Sequence, residues 1–391
     1  MINLAERLAH IAPFHVMELV KMAAVLESEG RDIIHLAIGE PDFSAAQPVI
    51  DAATAAMAQG RLQYTAATGL PALREAISGH YRDVYALDVA PSRIIVTAGA
   101  SAALLLVCAA LVQAGTEVLM PDPSYPCNRH FVAAFDGVAK MIPSGPQQRF
   151  QLSQETVQQN WSAATGGVLL ASPSNPTGTS ITHEELGKIV AEVRRRKGFT
   201  IVDEIYQELT YDSAPFSALS LGNDLIVINS FSKYFNMTGW RLGWMVVPEN
   251  LVPAIEKLAQ NLFICASSIA QHAALACFTP EALAVFAARK EEFKRRRDYI
   301  VPALRDLGFV VPVTPDGAFY VYADCSALAP DANQLSLDLL NQAGVAIVPG
   351  QDFGPSTAGR YLRISYATSM ENLHEAVRRM AVFFARRNPL D

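Results

Sequence analysis

The sequence predicts an α/β protein in which a large unit, built on a mostly parallel sheet covered by helices, is joined to a smaller α+β unit. Two observations carry this expectation. Across the middle of the chain, apolar strand-like runs alternate with longer helical patterns. Strands that are apolar throughout and separated by helices belong to a parallel sheet buried on both faces. After about residue 285 the texture changes to a strongly charged helix followed by short strands, as in an α+β cap on a long connecting helix.

Taken in order, the first helix is expected at about Phe14–Ser28, ahead of the α/β pattern and packed with the C-terminal portion. Strands are expected at Arg93–Thr97, Glu117–Met120, Val168–Ala171, Thr200–Asp203, Leu225–Asn229 and Leu242–Val247. Helical periodicity marks Ser101–Gln113 and His183–Arg196, and the charged helix is Ala287–Arg305. Short strands follow near Ala318–Ala323, Val345–Val348 and Tyr361–Ser365. The expected organisation is an N-terminal segment 1–47 that joins the small domain, a large domain 48–285 and a small domain 286–391.

Bulk properties narrow the function. The chain has 391 residues, 51% hydrophobic and 18% charged, so it can bury a large core. A net charge of −7 argues against a nucleic-acid surface, which needs basic patches to displace counterions. The basic run Arg194-Arg195-Arg196-Lys197 reads as a solvated helix end that complements the helix dipole. The five cysteines form no C-x-x-C pair, which fits a reducing cytoplasm; no metal site is expected. Met1 to Glu18 lacks the pattern of an export signal, and the apolar stretch Ala98–Gln113 is too short for a comfortable membrane span.

In open parallel sheets, ligands bind beyond the carboxyl ends of the strands, and the notable polar residues lie at those ends. Arg93–Thr97 runs into Ala98-Gly99-Ala100-Ser101 and then a helix, whose free N–H groups suit a phosphate; a plain strand–turn–helix would look the same. Thr200–Val202 ends in Asp203-Glu204. A carboxylate at the end of a buried strand needs a partner, which could be a protonated ring nitrogen, a helix N-terminus or an arginine. Lys233, in Ser230-Phe231-Ser232-Lys233, is flanked by apolar segments that would lower its pKa and make it a usable nucleophile and base. Ser230 and Arg241 are placed to reach a phosphate. Two prolines and a glycine fix the loop Ser172-Pro173-Ser174-Asn175-Pro176-Thr177-Gly178, where a cis Asn175-Pro176 bond would hold the Asn175 amide.

Singly these signals are modest; their order is specific. Phosphate turn, SPSNPTG, VDEIY, SFSK and GWRLGW together resemble the fold-type I pyridoxal-phosphate aminotransferases, class I/II, and most closely the bacterial and archaeal aspartate and aromatic subgroup. The likeness runs from Ile38-Gly39-Glu40-Pro41-Asp42-Phe43 to Leu362-Arg363-Ile364-Ser365. It implies a seven-stranded sheet, the cofactor pyridoxal 5'-phosphate (PLP) and a homodimer with shared active sites. It further implies that Lys233 carries the cofactor covalently and shuttles the proton at the substrate α-carbon, while Asp203 pairs with the pyridine nitrogen. Asn175 and Tyr206 would donate to the ring's phenolic oxygen, and Tyr125 would stack on the ring unless it is only a loop tyrosine. The phosphate would be held by the N–H groups of Ala100 and Ser101, by Ser230, Ser232 and Arg241, and by Tyr64 of the neighbouring subunit. Arg363 would clamp the substrate carboxylate with help from the Gly39 backbone; its alternative is a strand-edge arginine.

The resemblance implies transfer of the amino group of an L-α-amino acid to a 2-oxo acid, in a ping-pong exchange through pyridoxamine phosphate. Some aspartate aminotransferases of the subgroup carry a lysine in the phosphate turn that binds a distal carboxylate; this chain has Ser101 there, which favours a neutral or aromatic donor. Arg129 reads equally as a substitute for the missing cation or as an exposed loop arginine, and Cys127 lies in the same loop. The rival expectations are another PLP reaction, such as β-elimination or decarboxylation, and a non-catalytic PLP-binding regulator.

Overall fold

The computed structural model describes residues 2–13, 15–60 and 62–387. Its strands in chain order are β1 (Ile34–His35), β2 (Ile94–Thr97), β3 (Glu117–Asp122), β4 (Val138–Pro143), β5 (Thr165–Ala171) and β6 (Phe199–Asp203). They continue with β7 (Ile226–Ser230), β8 (Gly243–Val246), β9 (Tyr320–Asp324), β10 (Val345–Ala346), β11 (Val348–Pro349) and β12 (Tyr361–Ser365). A seven-stranded sheet in the order β2-β8-β7-β6-β5-β3-β4 forms the centre of the large unit. Only β8 runs antiparallel to its neighbours.

Successive side chains of a strand point to opposite faces, and here each face is buried under helices. Val96, Leu119, Leu170, Val202, Val227 and Val246 enter one core with Leu186, Ile189, Val190 and Val193 of the helix His183–Arg195. Their chain neighbours Ile95, Val118, Leu169, Ile201, Ile226 and Met245 enter a second core with Leu104, Leu106, Val107 and Cys108 of the helix Gly99–Leu111.

The smaller unit takes residues from both chain ends. β1 pairs in parallel with β10, while β11, β12 and β9 form an antiparallel sheet. Ile34 and Leu36 share a core with Phe293, Ile300, Val345, Leu362 and Met380, residues drawn from the helices Pro280–Asp306 and Met370–Arg387 as well as the sheet. The helix His15–Ser28 packs in an adjoining cluster with Tyr322, Val348 and Phe353; the expected start at Phe14 lies outside the described residues. Among the described residues no single helix is long and apolar enough to cross a membrane.

Three local expectations are corrected. β4 was not expected from the sequence: it is an edge strand whose Val138 is 48% exposed and whose Lys140 and Pro143 interrupt the apolar pattern. Val345–Val348 is two strands, because the chain leaves β1 after Ala346 and joins β12 at Val348. The charged helix begins at Pro280, where Thr279 caps it by accepting from the Ala282 N–H.

Candidate active site

The carboxyl ends of β2, β5, β6 and β7 open onto a cavity of about 670 Å³. Gly39, Ala100, Ser101, Tyr125, Asn175 and Asp203 line it, as do Tyr206, Ser230, Ser232, Lys233, Arg241 and Arg363. Of the residues expected at the site, Tyr64 alone stands apart; its side chain is 80% exposed.

Lys233 follows β7 and reaches back across the cavity, where Nζ donates to the Gly39 carbonyl at 2.6 Å. Burial lowers its pKa to about 8, with Glu40 opposing the shift and Arg363 and Arg241 adding to it. Asp203 ends β6 and accepts the Ile205 N–H at 3.2 Å. Burial raises its carboxyl to about 7, against the pull of the Ile205 N–H and of Lys233. A cationic group placed against Asp203 would reverse that cost.

At the amino end of the helix Gly99–Leu111, small residues admit a close ligand. Gly99 has φ +80°, and a Cβ there would come within 2.8 Å of Arg241 Nη2. A Cβ on Gly243 would lie 2.9 Å from the Ala100 nitrogen. Arg241 itself adopts φ +52° and donates to the Thr238 carbonyl at 3.0 Å. This uncommon backbone places an exposed guanidinium over the helix N-terminus, an arrangement suited to a phosphate. The Ser230 hydroxyl accepts from Ser232 N–H at 3.0 Å and donates to the Leu242 carbonyl at 3.3 Å, which braces the turn before Lys233.

On the opposite wall, Arg363 of β12 is 2% exposed, so it is no edge arginine. Nη1 donates to Asn175 Oδ1 at 2.9 Å and Nη2 to the Ala37 carbonyl at 2.6 Å. The guanidinium carbon lies 4.6 Å from the centroid of the Tyr320 ring and 5.0 Å from that of Phe353. The Asn175-Pro176 bond is cis, as expected from the sequence. Tyr206 OH meets Tyr320 OH at 2.9 Å, and the Tyr206 ring centroid lies 5.8 Å from Lys233 Nζ. Burial raises the Tyr206 hydroxyl well above the ordinary phenol value, keeping it protonated as a donor.

Several lining residues were not anticipated. Tyr320 sits in β9 between Phe319 and Val321 and looks like core from its neighbours. Val16, Met17, Val20, Ile38 and Leu104 supply apolar wall, and nothing polar marks them in the sequence. Glu40 and Thr238 also line the cavity and hydrogen-bond to each other. Arg129 is not part of the cavity wall; its Nη2 donates to the Asp352 carbonyl at 2.9 Å. Cys127 contacts Tyr125, and burial raises its thiol pKa, so it is no activated thiolate.

A buried strand-end carboxylate, a lysine of lowered pKa and a small-residue anion cradle with an arginine over it fit the ring nitrogen, carbonyl carbon and phosphate of PLP. Residues 31–380 match the family aminotransferase class I and II. The chain is 38% identical to the valine–pyruvate aminotransferase of Mycobacterium tuberculosis, over 95% of this chain and 96% of that protein. It is 37% identical to the (5-formylfuran-3-yl)methyl phosphate transaminase of Methanocaldococcus jannaschii, over 97% and 99%. The aspartate aminotransferase of Thermus thermophilus, solved with maleate, superposes with a TM-score of 0.93 at 34% identity, covering 98% of this chain and all (100%) of that one. The chain therefore belongs to the class I and II aminotransferases, a PLP-dependent family of fold type I.

Proposed function

We propose that this aminotransferase takes the amino group from a neutral or aromatic L-α-amino acid and passes it to a 2-oxo acid in a ping-pong exchange. One observation carries the donor class. The cations that line the cavity among the described residues are Lys233, Arg241 and Arg363, and each has a role. Arg241 faces the phosphate cradle, Arg363 the α-carboxylate, and Lys233 the reacting carbon. None of this subunit's own remains for a second carboxylate, and the rest of the wall includes Val16, Met17, Val20, Ile38 and Leu104. The M. tuberculosis relative named for valine agrees with this reading, whereas the T. thermophilus relative is named for aspartate.

When bound, PLP withdraws electrons from the substrate α-carbon and stores the amino group between the two halves of the exchange. The protein's own residues orient the substrate and move the proton. Arg363, packed against the rings of Tyr320 and Phe353, grips the α-carboxylate through its forked donors. Lys233 Nζ moves the proton off the substrate α-carbon, and a pKa of about 8 leaves a usable fraction unprotonated near neutrality. Asp203 holds the ring nitrogen protonated, while Tyr206 and Asn175 serve the phenolic oxygen and Tyr125 the ring face. Ala100, Ser101, Ser230, Ser232 and Arg241 form the phosphate site, and Gly39 contacts the substrate carboxylate.

The same reading includes a cytoplasmic homodimer in which the exposed Tyr64 completes the partner's phosphate site. It divides the chain at 1–47, 48–285 and 286–391, with the helix Pro280–Asp306 running through the second division. The test is a single-turnover absorbance screen of the PLP-loaded protein against individual amino acids. Valine, leucine or phenylalanine should convert the cofactor to its amine form faster than aspartate or glutamate. Faster conversion by the acidic pair would overturn the donor class.

A further inference from the structure

The turn from Gly350 to Ser356 ties together three walls of the cavity. Asp352 is 1% exposed, and its carboxylate accepts the N–H of His15 at 3.1 Å and of Val16 at 2.7 Å. These residues begin the helix His15–Ser28, so a carboxylate more than 300 positions away in sequence satisfies two of its free N–H groups. Only Val16, Leu19 and Ala23 of that helix are buried, which leaves it few other anchors. Yet Val16, Met17 and Val20 form part of the cavity wall.

The same turn grips the strand-end segment that carries Tyr125. The Asp352 carbonyl accepts from Arg129 at 2.9 Å, and the Phe353 carbonyl accepts from Ser124 N–H at 2.8 Å. Ser356 N–H donates to Asp122 at 3.1 Å. A Cβ on Gly354 would come 1.9 Å from Asp122 Oδ1, so this close approach requires glycine. Phe353, next to Asp352, supplies one of the two rings that flank Arg363.

We propose that Asp352 is a positioning residue: it seats the helix His15–Ser28 as the wall against the substrate side chain and so governs amino-acid binding rather than the proton transfer. The proposal rests on the reading of the cavity as the amino-acid site. Its test compares holoenzyme carrying Asp352→Ala, Asp352→Asn or His15→Pro with the parent protein. The readouts are KM and kcat for the preferred donor, and the rate of tryptic cleavage after Lys21 in the folded protein.

Asp352→Ala should raise KM about tenfold, with kcat within about twofold, and accelerate cleavage after Lys21. Asp352→Asn retains an acceptor oxygen and should restore part of both readouts. His15→Pro removes one donor at a helix position that tolerates proline, together with the ring contact to Gln351, and leaves the Asp352 side chain in place; it should shift both readouts in the same direction, by less. Unchanged KM and unchanged cleavage in Asp352→Ala would overturn the proposal, as would loss of kcat and cofactor binding with a silent His15→Pro. If the parent protein converts no amino acid, the functional reading fails, while the cleavage rates still decide whether Asp352 seats the helix.

Discussion

Replacing Asp203 by asparagine tests the electrostatic design of the site through stability alone. The Asp203 carboxyl is 4% exposed, and burial moves it from 3.8 to about 7. That gap of about 3 pH units, at ~1.4 kcal/mol each, makes ionisation of Asp203 in the cofactor-free fold cost on the order of 4 kcal/mol. The sign follows from proton binding. The folded state keeps the proton at pH values where the unfolded chain has lost it, so stability falls as pH rises from about 4 to about 7 and levels off above. Asp203→Asn lacks this dependence. Glu204, raised by burial to about 8, titrates in both proteins and largely cancels in their difference. Urea unfolding of both apoproteins between pH 5 and pH 8 measures that difference. It should shift in favour of the variant as pH rises, and PLP should stabilise the parent more than the variant at pH 8. A difference independent of pH would show that Asp203 ionises in the fold as readily as in the unfolded chain.

Three further outcomes are expected. Lys233→Ala should abolish turnover while PLP still binds through the phosphate cradle; equilibrium dialysis and a turnover assay separate the two, and normal turnover would remove Lys233 from its role. Arg363→Ala should raise KM for the amino acid about a hundredfold, the loss expected for a forked charge-assisted pair, and steady-state kinetics on several donors checks it. Tyr320→Phe removes the hydroxyl 2.9 Å from Tyr206 OH and should shift the pH midpoint of the cofactor's visible band, with no shift showing that the tyrosine pair is only packing.

The parts of the site legible in the sequence are those where a polar residue interrupts an apolar strand end. Asp203 after Thr200-Ile201-Val202 had to be buried and in need of a partner, and the structure gives it a raised pKa for that reason. Lys233 between apolar segments had to lose charge stability, and it does. Contacts made by the return of the chain were hidden. Tyr320 is a tyrosine in an apolar strand, and only the fold shows its hydroxyl beside Tyr206. Arg129 read equally well as a substrate ligand or a loop cation, because its partner, the Asp352 carbonyl, lies 223 positions away. β4 is not legible in the sequence, because an edge strand with Lys140 and Pro143 lacks the continuous apolar run of a buried one.

The proposed function stands or falls on Lys233 as the residue that carries the cofactor. Reduction of the PLP-loaded protein with borohydride, followed by digestion and mass spectrometry, tests it most directly. A pyridoxyl phosphate group is expected on the peptide containing Ser230-Phe231-Ser232-Lys233, bonded to Lys233. A label on another lysine, or none on the loaded protein, would contradict it.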